Sequence, residues 1–319
     1  MSTSVAQESA SGNVHDLAPE IRGIIPAMVT PFNADESINT DALRQLTDYL
    51  LAGGVHGLFP TGSQGEFWAL APGERQRIWD IVVETTAGRV PVYAGTGGVT
   101  TREVVALNRL AEHAGVSVVS VITPFFITPT DAELYGHYAT IADATSLPVI
   151  LYSNPGRTGG VNLSVDLVAR LAEHPNIVGI KDSSGDLSQT LAYIEATGDD
   201  FAVLLGRDTL IYAGLLHGAK GSITATANAA PELVVAIYEA FARGDLDGSL
   251  AAQKRLAPLR QAFGLGTFPV VVKEALTLLG IDAGPARAPV GPMAPAQRQK
   301  LVDILVAIHG AETVLGSPK

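Results

Sequence analysis

Apolar and polar residues follow one another along this chain as short apolar runs separated by longer amphipathic segments. The apolar runs are rich in Val, Ile and Leu, which is typical of strands buried on both faces of a parallel sheet. The longer segments carry apolar residues at three- and four-residue spacing, which indicates helices that bury one face. The predicted strands are residues 23–30, 57–60, 90–95, 117–122, 149–153, 177–182, 202–205 and 220–223, and the helices that follow them are residues 41–52, 72–86, 101–114, 131–146, 164–174, 187–197, 209–216 and 231–242.

The regular succession of strand and helix predicts an α/β protein with a closed parallel barrel, the (β/α)8 TIM barrel, rather than an open sheet. Beyond residue 243 the spacing is helical only, and three further helices are predicted, at residues 250–263, 267–279 and 294–308. The predicted organisation is a disordered lead-in at residues 1–20, the catalytic barrel at 21–243, a C-terminal helical extension at 244–312 and a tail at 313–319.

Two polar side chains close consecutive strands. Lys181 follows the apolar run 177–180, where a cation is out of place unless the strand end faces a polar pocket, and Tyr152 lies near the end of the preceding strand. If the two strands are parallel neighbours, both side chains emerge at the edge where barrels build their active sites. An amine among apolar side chains is a nucleophile towards carbonyl carbons, and a phenol beside it can shuttle protons. The pair therefore predicts Schiff-base chemistry.

Each of these residues also has a structural explanation. Lys181 could form an ion pair with neighbouring Asp182, and Tyr152 could be a core residue with a satisfied hydroxyl. Among the lysines, however, only Lys181 closes a strand, whereas Lys220 begins one and the others lie in the extension or tail. The combination of amine and phenol on adjacent strands favours catalysis.

Candidate anion-binding groups lie in two of the loops that follow strands. The turn 62–65 offers backbone N–H groups and the Ser63 hydroxyl, which together suit a carboxylate, and Glu66 is expected to orient this loop. Arg157 follows strand 149–153 at the predicted barrel mouth, where its guanidinium suits a second carboxylate, although it could also be an ordinary surface residue.

Composition excludes several other classes of protein. The 319 residues include 32 acidic and 21 basic side chains, so no basic field exists for nucleic acid or an anionic membrane. The absence of cysteine excludes disulfides and thiolate chemistry, and the scattered histidines predict no catalytic metal. No Rossmann glycine motif, long apolar span or signal peptide is found. We expect a cytoplasmic enzyme without cofactor.

Three segments together carry a family resemblance. Residues 62–66, 152–159 and 179–184 resemble the motifs of the dihydrodipicolinate synthase/N-acetylneuraminate lyase family, and the similarity runs from about residue 24 to about residue 308. The resemblance implies an eight-fold barrel with a C-terminal helical extension and a homotetramer built as a dimer of dimers. It also implies a metal-independent mechanism in which Lys181 forms an imine with pyruvate or another 2-oxo acid. Tyr152 is then the general acid/base.

The same resemblance implies the substrate contacts and shows where the chain departs from the synthases. The backbone of Ser63 and Gln64 is expected to hold the 2-oxo acid carboxylate, and Gly206 and Ile223 to line the pocket. In the synthases the first two positions are usually Thr, and a Tyr donated across the dimer interface stands where this chain has Phe126. Because Phe cannot relay a proton, this departure favours the aldolases of the family.

Other features divide between the two subfamilies. Arg157 matches the residue that grips the second substrate's carboxylate in the synthases, whereas the Ser-x-Gly-Glu-Phe form of residues 63–67 and the segment 284–289 resemble the hydroxyoxoglutarate aldolases. We predict a lyase that forms a lysine imine with pyruvate and cleaves or condenses a 4-hydroxy-2-oxo acid, of 4-hydroxy-2-oxoglutarate or 2-keto-3-deoxy sugar acid type, with an aldehyde as its other small-molecule partner.

Three alternatives remain open. The first is 4-hydroxy-tetrahydrodipicolinate synthase, the second a dehydratase or deaminase of the family acting on a 2-oxo acid, and the third a non-catalytic paralogue that binds a metabolite. The predicted catalytic residues are Lys181, Tyr152 and Ser63, and the predicted substrate-binding residues are Ser63, Gln64, Arg157, Gly206, Ile223 and Phe126.

Overall fold

The computed structural model of the protein describes residues 20–315. The predicted disordered lead-in lies outside the described residues except for Glu20, as do residues 316–319 of the predicted tail. Seven strands run parallel in one curled sheet with the order β1-β7-β6-β5-β4-β3-β2. They are β1 (Gly23–Pro26), β2 (Tyr93–Gly95), β3 (Val118–Ile122), β4 (Val149–Ser153), β5 (Ile177–Asp182), β6 (Ala202–Leu205) and β7 (Gly221–Thr224).

Twelve α-helices accompany these strands within residues 20–315. They are α1 (Thr40–Ala52), α2 (Pro72–Thr86), α3 (Thr101–His113), α4 (Asp131–Asp143), α5 (Val165–Ala172), α6 (Leu187–Ala196), α7 (Ile211–Leu216), α8 (Pro231–Ala242), α9 (Leu246–Gln261), α10 (Val270–Leu278), α11 (Pro295–His309) and α12 (Ala311–Leu315). Several of these helices are preceded by a polar side chain that accepts a hydrogen bond from a backbone N–H group of the first turn. Asn39 has this role for α1 and Ser164 for α5. No helix of the described chain is long and apolar enough to cross a membrane.

The eighth predicted strand, residues 57–60, forms only isolated bridges. Phe59 pairs with Ala27 after β1, and Leu58 pairs with Val92 before β2, so this segment hydrogen-bonds to both edges of the seven-stranded sheet. The α/β class and the parallel sheet are confirmed, and seven of the predicted strands form. The first ends at Pro26 rather than at residue 30, and beyond it the Val29 N–H donates to the Asn228 side chain at 3.2 Å.

The apolar core lies on both sides of the sheet. Side chains that point inside the curl form a small cluster that includes Ile25, Phe59 and Ile150, and the outward-facing side chains pack with the helices in a much larger cluster. A further cluster joins α7 and α8 to the C-terminal helices. The interior is therefore filled below the strand ends, which leaves the C-terminal edge of the sheet to form a cavity.

The C-terminal helices pack against α7 and α8 beside the curled sheet. Helix α9 follows α8 directly and contacts it along its length, and it continues through Pro258 to Gln261. Helix α12 crosses the predicted boundary at residue 312. The segment between α9 and α10 reaches the C-terminal edge of the sheet, where its side chains join the cavity.

Candidate active site

Lys181 and Tyr152 lie side by side at the C-terminal edge of the sheet. Strands β4 and β5 are parallel neighbours, and these two residues are direct partners in their register. Both side chains are 4% exposed. The Lys181 Nζ atom lies 4.2 Å from the centre of the Tyr152 ring and 5.0 Å from that of Phe59. The predicted juxtaposition of amine and phenol is present.

The structural alternative for Lys181 is wrong. Within residues 20–315 no carboxylate forms an ion pair with its amine. The neighbouring Asp182 instead accepts hydrogen bonds from the backbone N–H of Ser184 at 2.9 Å and from the Thr190 hydroxyl at 2.6 Å. The Lys181 amine faces the cavity, so it is available to a carbonyl substrate.

The Tyr152 hydroxyl is surrounded by polar groups. It lies 3.4 Å from the Ser63 hydroxyl and accepts a hydrogen bond of 2.8 Å from the Asn154 amide. Burial acts to raise the pKa of the phenol, but the positive charge of Lys181 and hydrogen bonds from Ser63, Asn154 and Ser183 outweigh it, so the pKa is lowered from its ordinary value. The phenol is therefore set to exchange protons at the amine.

The loop after residues 57–60 forms a tight turn beside this pair. Gly62 and Ser63 carbonyls accept the N–H groups of Gly65 and Glu66 at 3.0 and 3.2 Å. Within the described chain, the N–H groups of Ser63 and Gln64 donate to no acceptor. Two adjacent backbone donors at the edge of the cavity suit the carboxylate that the sequence predicts.

A cavity of about 460 Å³ opens above the strand ends. It brings together all but one of the predicted site residues: Ser63, Gln64, Tyr152, Arg157, Lys181, Gly206 and Ile223. Gly206 follows β6 at a close approach, because a Cβ atom there would lie 1.9 Å from the Ser183 hydroxyl oxygen. Their assigned roles in binding and catalysis remain predictions.

Phe126 is the predicted site residue that the structure does not bring to the cavity. Its backbone is in the left-handed region, with φ of 72°, and its ring is 97% exposed. Within the described chain, Phe126 does not line the cavity that contains Tyr152 and Ser63, and its assignment as a substrate-binding residue stays a prediction. A contact with the cavity of a second subunit remains a proposal.

Several cavity residues were not predicted from the sequence. Phe268, in the segment before α10, stacks under the Arg157 guanidinium at 4.3 Å from its ring centre. Arg207 follows β6, and Arg260 lies at the end of α9. The Gly-Arg-Asp sequence after a strand could have drawn attention to Arg207, but residues 260 and 268 lie in the extension, where no strand end marks them.

The charge of the cavity is mainly positive. Arg157, Arg207 and Arg260 line its mouth, and within residues 20–315 none of them forms an ion pair. The carboxylate of Asp208 also lines the cavity, but one of its oxygens accepts the Thr226 N–H at 2.8 Å. The site therefore suits anionic substrates. Across residues 20–315, no group of three or more His, Asp or Glu side chains is placed to hold a metal ion.

Comparison with known proteins places the chain in a family. Residues 20–308 match the family model described as "Dihydrodipicolinate synthetase family". A protein from Methanoculleus marisnigri named 4-hydroxy-tetrahydrodipicolinate synthase is 43% identical over 291 residues, which are 90% of this chain and 99% of the relative. A protein of the same name from Rhodospirillum centenum is 41% identical over 285 residues, covering 89% and 97% of the two chains.

Solved structures agree with this assignment. The dihydrodipicolinate synthase DapA-2 of Bacillus anthracis superposes with a TM-score of 0.87 at 33% identity, covering 91% of this chain and 98% of its own. A prophage protein of the dihydrodipicolinic acid synthase family from E. coli K12, solved in complex with pyruvate, gives a TM-score of 0.87 at 34% identity over 90% and 98% of the chains.

The site combines an amine and a phenol at adjacent strand ends with a pair of backbone donors suited to a carboxylate. Together with the relatives above, it defines the chain as a carbon–carbon lyase of the aldolase type. The chain is a member of the dihydrodipicolinate synthetase family. Schiff-base chemistry is characteristic of that family, and the family resemblance predicted from residues 62–66, 152–159 and 179–184 is confirmed.

Proposed function

We propose that this enzyme forms an imine between Lys181 and pyruvate and then joins the bound pyruvate to an aldehyde. The observation that carries the proposal is the position of the Lys181 amine, 4.2 Å from the centre of the Tyr152 ring and without an ion-pair partner in residues 20–315. The cavity of about 460 Å³ is large enough for two small acids.

The chemistry divides among the cavity residues as follows. The N–H groups of Ser63 and Gln64 hold the pyruvate carboxylate, which aims the ketone carbon at Lys181. The Tyr152 phenolate takes a proton from Lys181, the neutral amine adds to this carbon, and Tyr152 then gives a proton to the resulting hydroxyl so that it leaves as water and the imine forms. Tyr152 next removes a methyl proton, which gives an enamine, and the enamine carbon attacks the aldehyde. Tyr152 gives this proton to the new alkoxide, and water then adds to the imine, which releases the product and restores the Lys181 amine.

The reaction supported best is that of 4-hydroxy-tetrahydrodipicolinate synthase, which condenses pyruvate with aspartate semialdehyde. Relatives of about 40% identity over about nine-tenths of the chain carry this name, and they support the synthase better than the aldolase predicted from the sequence. Arg157 at the cavity mouth is placed to hold the carboxylate of the aldehyde substrate.

The second candidate is an aldolase that acts on a 4-hydroxy-2-oxo acid. Two residues favour it. Phe126 has no hydroxyl to relay a proton, and Ser63 takes a position that is usually Thr in the synthases. In that reaction proton transfer from Tyr152 would pass through Ser63, 3.4 Å away, or through water.

One steady-state experiment distinguishes the two candidates. We expect kcat/KM for condensation with pyruvate to be at least about tenfold higher for aspartate semialdehyde than for glyoxylate or glyceraldehyde, since specificity follows differential binding of the transition state. The reverse order, with fast cleavage of 4-hydroxy-2-oxoglutarate, would assign the enzyme to the aldolases. Turnover of none of these substrates, with a 2-oxo acid dehydrated or deaminated instead, would assign the enzyme to the dehydratases or deaminases of the family.

Arg157→Ala tests whether the aldehyde substrate is held by its carboxylate. Loss of a charge-assisted contact worth about 2–3 kcal/mol should lower kcat/KM for aspartate semialdehyde by roughly 30–150-fold. The neutral glyceraldehyde should be almost unaffected. The matched control is Arg170→Ala, because Arg170 is also exposed and also stacks on an aromatic ring, Tyr135, but lies on α5 away from the cavity. Equal losses for both aldehydes would contradict this role.

The assembly of the protein is also a proposal. Phe126 and Ile127 are 97% and 47% exposed and form an apolar surface of the kind that subunit interfaces cover. We propose a cytoplasmic homotetramer in which these residues lie at a contact between subunits, and a barrel in which residues 57–60 act as the eighth strand. Light scattering of Phe126→Asp should show a smaller particle than wild type. An unchanged mass would remove Phe126 from the interface.

A further inference from the structure

A buried ion pair joins the C-terminal extension to the carboxylate-binding loop. Glu66, the residue that follows the turn 62–65, lies 2.7 Å from the Lys273 amine of α10, and both side chains are 1% exposed. Burial lowers the pKa of Lys273, and the Glu66 carboxylate acts in the opposite direction. Two charges at this depth are tolerated because they neutralise each other.

A strap of the extension, residues 283–289, adds further contacts to this pair. The Lys273 amine donates to the Pro285 carbonyl at 2.7 Å, and the second Glu66 oxygen accepts the Arg287 N–H at 3.0 Å. The Arg287 guanidinium binds the Glu74 carboxylate on α2. The strap is close to the barrel, since a Cβ atom at Gly284, whose φ is 63°, would lie 1.8 Å from the Phe32 carbonyl oxygen. Glu66 is thus fixed from two sides by the extension.

The backbone of Glu66 connects these contacts to the turn. The Glu66 backbone is left-handed, with φ of 58° and ψ of 39°, a conformation that is uncommon for a residue with a Cβ atom and that the contacts of its side chain support here. Its N–H donates to the Ser63 carbonyl at 3.2 Å. The direction of the Ser63 and Gln64 N–H groups therefore depends on Glu66. Glu66 does not line the cavity, so it has no direct contact with substrate to explain its burial.

We propose that Lys273 is a positioning residue for pyruvate. Through Glu66, the extension sets the angle at which the turn 62–65 presents its two N–H groups to the 2-oxo acid carboxylate. The Lys273–Glu66 pair acts on the recognition of this carboxylate and leaves the Lys181 amine unchanged. This role rests on the proposed function, since it presupposes that the turn holds the carboxylate.

The test compares two carbonyl probes at Lys181. Wild type and Lys273→Met are incubated with pyruvate or with methyl pyruvate, whose carboxylate is blocked, then reduced with borohydride, and the Lys181 adduct is measured by mass spectrometry against probe concentration. For Lys273→Met we expect the half-saturating pyruvate concentration to rise about tenfold or more, by analogy with the loss of other supporting contacts. The value for methyl pyruvate should stay within about twofold of that of wild type.

A double variant separates positioning from stability. Lys273→Met alone leaves a buried carboxylate without its partner, whereas Glu66→Gln with Lys273→Met leaves a neutral pair of similar size. We expect the double variant to unfold within a few degrees of the wild-type melting temperature, yet to keep a raised half-saturating pyruvate concentration. If Lys273 only stabilised the fold, the double variant would recover normal pyruvate binding together with stability. The double variant also serves if Lys273→Met alone does not fold.

The matched control is Arg298→Met, which removes a 2.6 Å ion pair with Glu274 within the same extension but has no contact with Glu66. It should bind both probes as wild type does. Unchanged pyruvate binding in the Lys273 variants, or equal losses for both probes, would overturn the positioning role while wild type still reacts with pyruvate. If wild type itself gives no pyruvate adduct at Lys181, the proposed function fails and the positioning role with it.

Discussion

Replacement of Lys181 by Met should abolish turnover, with kcat reduced by about 10⁴-fold or more, because within residues 20–315 no other lysine lines the cavity to form the imine. Methionine keeps most of the volume of a side chain that is 4% exposed and packed between the Tyr152 and Phe59 rings, so the fold should survive. The measurement is kcat for the condensation with pyruvate, together with the mass of the protein after borohydride reduction. Wild type should gain one pyruvate-derived mass on Lys181 and lose its activity.

The control for this experiment is Lys220→Met. Lys220 precedes β7 at the opposite end of the sheet from the cavity, so it should neither trap pyruvate nor affect turnover. An adduct on Lys220, or none with any 2-oxo acid, would overturn the Schiff-base mechanism. Activity should also persist in EDTA, and its loss and recovery with added Zn²⁺ or Mg²⁺ would contradict the metal-independent mechanism.

The alternation of parallel strands and helices could be predicted from the sequence because buried strands and amphipathic helices differ in the spacing of their apolar residues. Helix α2 occupies the predicted residues 72–86, bounded by Pro72 and an αL residue, Ala87. Residues 57–60 were predicted as a strand, but they form only isolated bridges, because two pairs of hydrogen bonds do not make a regular strand. Local signals define repeated units well, but they do not define how the edges of the sheet meet.

The candidate site also contains residues that local sequence signals locate and residues that they do not. The placement of Lys181, Tyr152 and Ser63 at one cavity could be predicted because the ends of parallel strands and the loops that follow them lie at the same edge of the sheet. The stack of Phe268 under Arg157 and the Lys273–Glu66 pair could not, because both join residues more than a hundred positions apart. Such contacts depend on how the extension folds back over the barrel, and helical spacing alone carries no information about it.

Tyr152→Phe should separate proton transfer from packing. The Phe ring keeps its place against Lys181, while the hydroxyl contacts with Ser63 and Asn154 are lost, so the free energy of unfolding should change by about 1 kcal/mol or less. The rate should fall roughly 10²-fold or more, because the acid that expels water from the carbinolamine is missing. Thermal unfolding and steady-state kinetics measure the two effects separately.

A buried tyrosine outside the cavity is the matched control for this variant. Tyr138 of α4 is fully buried and donates one hydrogen bond to the Val121 carbonyl at 3.2 Å, so Tyr138→Phe should cost similar stability and leave turnover unchanged. If both variants slow the enzyme equally, packing rather than proton transfer explains the loss. Normal turnover by Tyr152→Phe would mean that another group carries the proton.

The pH dependence gives the role of Tyr152 its sharpest test. Burial alone would raise the pKa of the phenol, but Lys181 and the hydrogen bonds from Ser63, Asn154 and Ser183 lower it below the ordinary value of 10.0. An acidic group with a lowered pKa loses its proton at lower pH, so the phenolate that can act as a base accumulates before pH 10 is reached. The wild-type profile of kcat/KM should therefore rise with pH along a limb that ends below pH 10, and this limb should be absent from Tyr152→Phe. Asn154→Ala removes a hydrogen-bond donor that favours the phenolate, so it should move the rising part of the kcat/KM profile to higher pH. If the rise stays at the same pH in both Tyr152→Phe and Asn154→Ala, it belongs to a different group.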